Sequence, residues 1–343
     1  MESIYPRRVP IMGNLTGNGW TVASQESVLS LIVVLGSSVS LVGLIFAFIT
    51  YSLFSDLRTM SGTALMYMLA NMFLTQLFYV VGVGGVQEDN LCLCLAFGIH
   101  YLRLAVISWL CVMTYDMLIT FRNNVNLNPR PEPVNVLISR FVKYSVFAWG
   151  VPSLSVISAS VMRVTVNHQA VNNLNPYNCW FFEKTIYNVT FAVPALCCFA
   201  AIADSLIRSW LTARATVGLQ VDKKTRLKMH RKRTLQLHLY VKIATLLFAV
   251  NVFGCVARNG SPSSDPVAWI AYNVGHSLQG ILVALAVTCN CQVLKIYTRS
   301  FSRRRRRRPR NGSATALFDK RDSDISDTTY LQNLTWEPVP LPV

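Results

Sequence analysis

Charge is scarce in this 343-residue chain. Only 14% of the residues are Asp, Glu, Lys or Arg, and the mean hydropathy is +0.38. That excludes an ordinary soluble surface, because globular domains carry about a quarter of their residues as charges. Acidic residues are the rarest of these, 16 against 32 Lys and Arg. Histidine occurs at His100, His168, His230, His238 and His276, with no i, i+4 pair on one apolar segment. The converging ligands of a membrane metallohydrolase are therefore missing, and no metal or other cofactor is implied. The last apolar segment contains no lysine, which excludes a retinal Schiff base. No internal repeat is visible, and Pro152 and Pro194 sit toward opposite faces. That weighs against a solute transporter built from paired halves with broken helices, which remains the alternative reading. The first 26 residues have no cysteine and no long apolar run ahead of a small-residue cleavage site, so the first apolar segment is expected to stay as an anchor.

What is present is a set of seven apolar runs, at residues 27–51, 62–86, 92–121, 137–162, 185–213, 234–257 and 267–291. Each is long enough for a helix to cross a hydrocarbon layer roughly 30 Å thick at about 1.5 Å per residue. The expected fold is all-α, a seven-transmembrane helix bundle. Arg103, Asp204 and His276 interrupt the third, fifth and seventh runs and are expected to face into the bundle, since lipid does not tolerate them. Basic residues set the orientation. The segment 214–233 holds eight and 295–310 holds nine, against five in all the opposite segments together, so the N-terminus is outside and the C-terminus cytosolic.

This divides the chain into a short extracellular N-terminus (1–26), a membrane domain (27–292), an amphipathic helix on the inner leaflet (293–302), and a polybasic, disordered cytosolic tail (303–343). In 293–302, Val293, Leu294, Tyr297 and Phe301 share one helical face opposite Lys295 and Arg299. The six arginines Arg303–Arg308 follow a membrane span by about a dozen residues and have no interleaved aromatics to stack on bases. They read as a clamp on anionic inner-leaflet lipids, at about 1 kcal/mol per basic side chain, rather than as a nucleic-acid surface. Asn14, in Asn-Leu-Thr, is a glycosylation acceptor on the outer side.

Four segments carry a resemblance. "WLCVMTYDMLITF" (109–121), "YSVFAWGVP" (144–152), "YNCWFF" (177–182) and "SLQGILVALAVTCNCQVLK" (277–295) occur in order and at matching spacing. Together they resemble the Methuselah-like branch of the secretin and adhesion type (family B) G-protein-coupled receptors. The resemblance implies a multi-pass plasma-membrane receptor, not an enzyme, that transmits an extracellular signal to a heterotrimeric G protein by movement of its helices. An arrestin contact through the tail is also expected. It implies a disulfide from the outer end of the third span to the second outer loop, Cys92 to Cys179, with Cys94 as rival to Cys92. Two positions depart from secretin-type relatives: Ser61 stands where they have histidine, and Met113 where they have glutamate. The 26 residues before the first span are too few for a stable domain. The expected ligand, a peptide or a small molecule, then binds among the helices and loops, unless the chain is a truncated, non-signalling isoform.

Depth along the spans proposes the sites. His100, Arg103, Asn273, His276 and Gln279 lie in the outer halves of the third and seventh spans and are the candidate ligand pocket. The competing reading is that Arg103 and His276 are satisfied within the bundle. Asp116, Asp204 and Lys242 lie at similar depth in the inner part of the third, fifth and sixth spans, and a resting ion pair from either aspartate to Lys242 is the candidate switch. The competing reading there is that Lys242 snorkels to the headgroups. Arg58, Arg122, Arg140, Lys223, Lys224, Arg231 and Arg233 are the candidate G-protein-facing surface.

Overall fold

The computed structural model describes residues 19–54, 60–83, 89–123, 134–167, 184–218, 223–259 and 266–289. Every described element is helical: α1 (Gly19–Leu53), α2 (Met60–Val83), α3 (Asp89–Asn123), α4 (Val134–Asn167), α5 (Lys184–Tyr187), a π-helical turn (Asn188–Ala192), α6 (Val193–Gly218), α7 (Lys223–Asn259) and α8 (Pro266–Thr288). Seven of the resulting helical stretches are long and apolar enough to cross a membrane, with α5, the π turn and α6 forming the fifth. The seven-helix expectation therefore holds. Asn14, Arg58, Cys179, the helix expected at 293–302 and the tail lie outside the described residues, as do the side chains of Cys92, Lys223 and Lys224.

Two boundaries differ from the hydropathy reading. Helix α1 begins at Gly19 rather than near residue 27, because a backbone continues its hydrogen bonding past the last apolar residue. Helix α7 begins at Lys223, so much of the basic segment read as a loop is helical. Its Lys and Arg residues are good helix formers and its charge hides that from a hydropathy scan.

Helix α3 is the axis of the bundle. It packs on α2, α4, α6 and α7, while α1 packs on α2 and α8, and α7 on α6 and α8. The apolar wall of α3, including Leu104, Ile107, Trp109, Leu110, Met113 and Phe121, is almost wholly buried. Trp109 anchors an aromatic cluster: Tyr67 stacks on it at 4.9 Å and Trp149 meets it edge-on at 5.6 Å. The tryptophans of two of the family-like segments thus meet each other.

The α1–α8 contact is made by small residues. A Cβ on Gly280 would lie 2.8 Å from the Ser40 Cβ and 2.9 Å from Leu44, and one on Gly43 would meet Ile281 at 2.7 Å. This close approach lets the Ser40 hydroxyl donate to the Ser277 carbonyl at 2.6 Å while accepting the Ile281 backbone N–H at 3.1 Å. In lipid, where apolar surface gives no net drive for helices to associate, such close packing and interhelical hydrogen bonding hold the pair.

Pro194 explains the π turn. It has no N–H to offer the carbonyl four residues back, at Thr190, and its ring crowds that carbonyl. The helix widens to the π form over Asn188–Ala192, and the Ser155 hydroxyl of α4 donates to the freed Thr190 carbonyl. A backbone group buried in hydrocarbon must find a partner, and here a serine supplies it.

Candidate functional site

The outer half of the bundle holds a buried polar cluster, built from α2, α3, α4, the π turn, α7 and α8. His100 Nε2 lies 2.7 Å from Ser155 Oγ. Since that hydroxyl already donates to Thr190, the imidazole donates to Ser155 and carries its proton on Nε2. One chain of hydrogen bonds therefore ties α3, α4 and the π turn.

Arg103 lies one turn inward. Its guanidinium donates to Asn251 Oδ1 at 3.0 Å, and the Asn251 amide group donates in turn to the Leu247 carbonyl, which fixes the amide with its oxygen toward the arginine. The guanidinium carbon sits 4.7 Å from the Phe191 ring centre and 5.6 Å from that of Tyr272. These aromatic faces give the cation an electrostatic lining. Three helical stretches thus converge on one side chain.

Asn273 accepts a 2.6 Å hydrogen bond from the Tyr79 hydroxyl. His276 is only 1% exposed, with its ring 4.2 Å from that of Tyr79 and 5.8 Å from that of Tyr272. Neither of its ring nitrogens meets a hydrogen-bond partner among the described residues, and the same holds for Gln76 Oε1. Gln76 is nonetheless fixed, because its Nε2 donates to the His276 backbone carbonyl at 2.5 Å. Buried polar atoms of this kind cost about 1–3 kcal/mol each when unsatisfied, so the cluster holds hydrogen-bonding capacity that the protein itself does not use. Gln279 is buried further along α8.

Of the five residues proposed from the sequence for this pocket, His100, Arg103 and His276 are linked through shared rings: Phe191 joins the first two, Tyr272 the last two. Asn273 joins through Tyr79. Gln76, Tyr79, Phe191, Asn251 and Tyr272 were not anticipated. Gln76 and Asn251, uncharged amides inside apolar runs, were the available signal.

The inner half differs more from expectation. Asp204 is exposed and accepts a 2.8 Å ion pair from Arg208, one turn along its own helix. Lys242 is exposed on α7, and Asp116 is buried, accepting a hydrogen bond from Tyr144 of α4. The structure does not bring either aspartate to Lys242: similar depth says nothing of which way round a helix a side chain points. Arg233 also departs from its expected place on the cytosolic surface. It is 0% exposed, with its guanidinium 5.1 Å from the ring centre of Phe121 at the inner end of α3. It belongs to a helix entering the bundle and not to a loop. Arg122 and Arg231 are exposed and Arg140 is half-buried. Tyr240, also on α7, shares a 2.5 Å hydrogen bond with Ser61 at the inner end of α2. The inner half of α7 is thus held to α2 by Tyr240 and to α3 by Arg233.

Cys94 carries a free, exposed thiol. The Cys92–Cys179 pair lies outside the described side chains.

Seven crossings, a buried polar cluster in one half and basic helix ends at the other are the architecture of a multi-pass helical membrane protein. The family described as 7 transmembrane receptor (Secretin family) matches residues 26–283, and the chain belongs to it. It is a multi-pass protein of the plasma membrane. Among individual proteins, it is similar to adhesion G protein-coupled receptor E2 of Macaca mulatta, 23% identical over 288 residues that make up 83% of this chain and 33% of that protein. It is 25% identical to human adhesion G protein-coupled receptor E3 over 287 residues, 82% of this chain and 41% of that protein. Human cadherin EGF LAG seven-pass G-type receptor 1 matches 52% of this chain at 28% identity, and 5% of that protein. The chain therefore spans between 33% and 41% of the length of the first two relatives. These matches stand at the level of secretin and adhesion receptors, one step coarser than the Methuselah-like branch.

Proposed function

We propose that the chain is a signalling receptor, not an enzyme, that transmits an extracellular signal to a heterotrimeric G protein by movement of α7 against α2 and α3. The observation that carries this reading is the pair of inner contacts, Ser61–Tyr240 and Phe121–Arg233, which hold α7 through two residues. A few specific contacts make a two-state element, which a ligand with unequal affinity for the two states biases. Asn251 lies on the same helix, so the outer cluster around Arg103 and the inner contacts act on one rigid rod.

The ligand, a peptide or small molecule, is proposed to engage His100, Arg103, Asn273, His276 and Gln279. The support is that His276 and the neighbouring Gln76 retain unused polar atoms beside a guanidinium. Exposed Arg122 and Arg231, with Arg140, Lys223 and Lys224, are proposed to face the G protein; Arg58 belongs to the same proposal. Anionic inner-leaflet lipids are the proposed partners of Arg303–Arg308, and arrestin of the tail. A Cys92–Cys179 disulfide and glycosylation at Asn14 are proposed for the outer side.

The test is nucleotide exchange on purified G proteins by the full chain in lipid nanodiscs without ligand, compared with Lys223, Lys224 and Arg231 changed together to Gln. Receptor-dependent exchange that falls at least several-fold in the triple variant supports the proposal. Exchange indistinguishable between the two, from equal amounts of folded protein, contradicts it.

A further inference from the structure

Asp204 and Arg208 of α6 and Lys242 of α7 are among the ionisable side chains of the membrane-spanning helices that point away from the bundle. On α6, Asp204 and Arg208 pair with each other while their side chains remain 56% and 65% exposed. Their neighbours Ala200, Ala201, Ile207 and Leu211 are exposed too, whereas Ile202, Ser205 and Ser209 on the opposite face are buried. On the adjacent α7, Lys242 is exposed beside Val241 and Thr245, and Ile243 and Ala244 are buried. Asp204, Arg208 and Lys242 thus lie on the lipid-facing sides of their helices.

Their depths agree. Phe199 of α6 and Phe248 of α7 meet edge-on at 5.3 Å and set a common level. Moving inward from it, Asp204 is five residues along α6 and Lys242 six back along α7, about 7.5 and 9 Å at the helical rise. Lys242 and Arg208 have long stems that carry a charge toward the headgroups. Asp204 has one methylene and remains where its helix puts it. A carboxylate on lipid is expensive, and such groups ordinarily face a bundle interior or a partner.

We propose that the α6–α7 face is the interface with a second copy of this chain. A two-fold axis along the membrane normal between α6 and α7 lays α6 of each copy on α7 of the other. A two-fold contact is self-complementary: if one residue meets another, the reverse contact is made as well. Asp204 of each copy then faces Lys242 of the other at matching depth, and two cross-pairs of opposite charge close the interface. Each aspartate lies between its own Arg208 and Lys242 of the second copy, so its charge leaves lipid altogether. Within one chain Asp204 pairs with Arg208 and not with Lys242; the proposed two-fold contact brings Lys242 of the second copy to it.

The test uses the full chain in vesicles of neutral phosphatidylcholine at low protein density, with dimer fraction read by single-molecule photobleaching. Asp204→Lys alone and Lys242→Asp alone each place like charges opposite one another and are expected to lower the dimer constant about tenfold or more. The double exchange Asp204→Lys with Lys242→Asp restores it. Mild oxidation of the Asp204→Cys, Lys242→Cys double variant is expected to give a disulfide-linked dimer that neither single variant gives. A monomeric wild type, single variants that dimerise as well as wild type, a disulfide formed within one chain, or recovery of wild type as a monomer bound to another membrane protein would each overturn the proposal.

Discussion

Gly280 shows how much one atom decides. A Cβ there would lie 2.8 Å from Ser40 and 2.9 Å from Leu44, closer than side-chain carbons approach one another. Gly280→Ala is expected to part α1 from α8 and strain the Ser40 hydrogen bonds, costing about 1–3 kcal/mol. A fall in the thermal unfolding midpoint of the purified chain checks it, and an unchanged midpoint is evidence against the close contact. Arg103 is the other decisive residue. Arg103→Lys keeps the charge but loses the planar group that spans Phe191, Tyr272 and Asn251. It is expected to behave much like Arg103→Ala in thermal stability and not like wild type. The sequence marked Arg103 and His276 as out of place in an apolar run, and His100 by its place one turn from Arg103, which is why they were legible. It did not mark Phe191 or Tyr272, because an aromatic ring in a span is unremarkable until a guanidinium lies over it.

At the level of elements, the fifth crossing is a proline helix repaired from outside. Ser155→Ala removes the donor to the Thr190 carbonyl and also the acceptor for His100. The expected cost is about 1–3 kcal/mol, the range for leaving a buried polar group unsatisfied. Changing Pro194→Ala as well restores a backbone N–H at the position that lost it, so the double variant is expected to be less destabilised than the two single effects added together. Thermal unfolding of the four proteins closes that cycle, and strict additivity would show that the serine and proline do not communicate. Hydropathy located this crossing but not its π turn, since a single proline within an apolar run is compatible with a kink, a bulge or a plain bend. The inner halves were the least legible for a related reason. Counting residues to a span end gave depth for Asp116, Asp204 and Lys242, but azimuth depends on where helices cross, and no one helix encodes that. Arg233 was misplaced because its basic neighbours disguise the start of α7 as a loop.

Across the whole molecule, α3 carries the core and α7 connects the two halves. Seven crossings followed from apolar run length alone, since the bilayer constrains it strongly. The contacts of the proposed coupling between halves were not visible, because they involve Ser61, Tyr240 and Asn251, each of which alone is an ordinary polar residue. Tyr240 and Arg233 make the contacts proposed to hold α7 at rest. The most direct test is ligand-independent nucleotide exchange by the G protein, driven by the full chain in nanodiscs, for wild type, Tyr240→Phe and Arg233→Leu at equal folded amounts. Release of α7 predicts exchange raised about five- to tenfold in both variants, a bias of roughly 1–1.4 kcal/mol in the resting equilibrium. Exchange unchanged from wild type in both would contradict the claim that these two contacts hold the resting state.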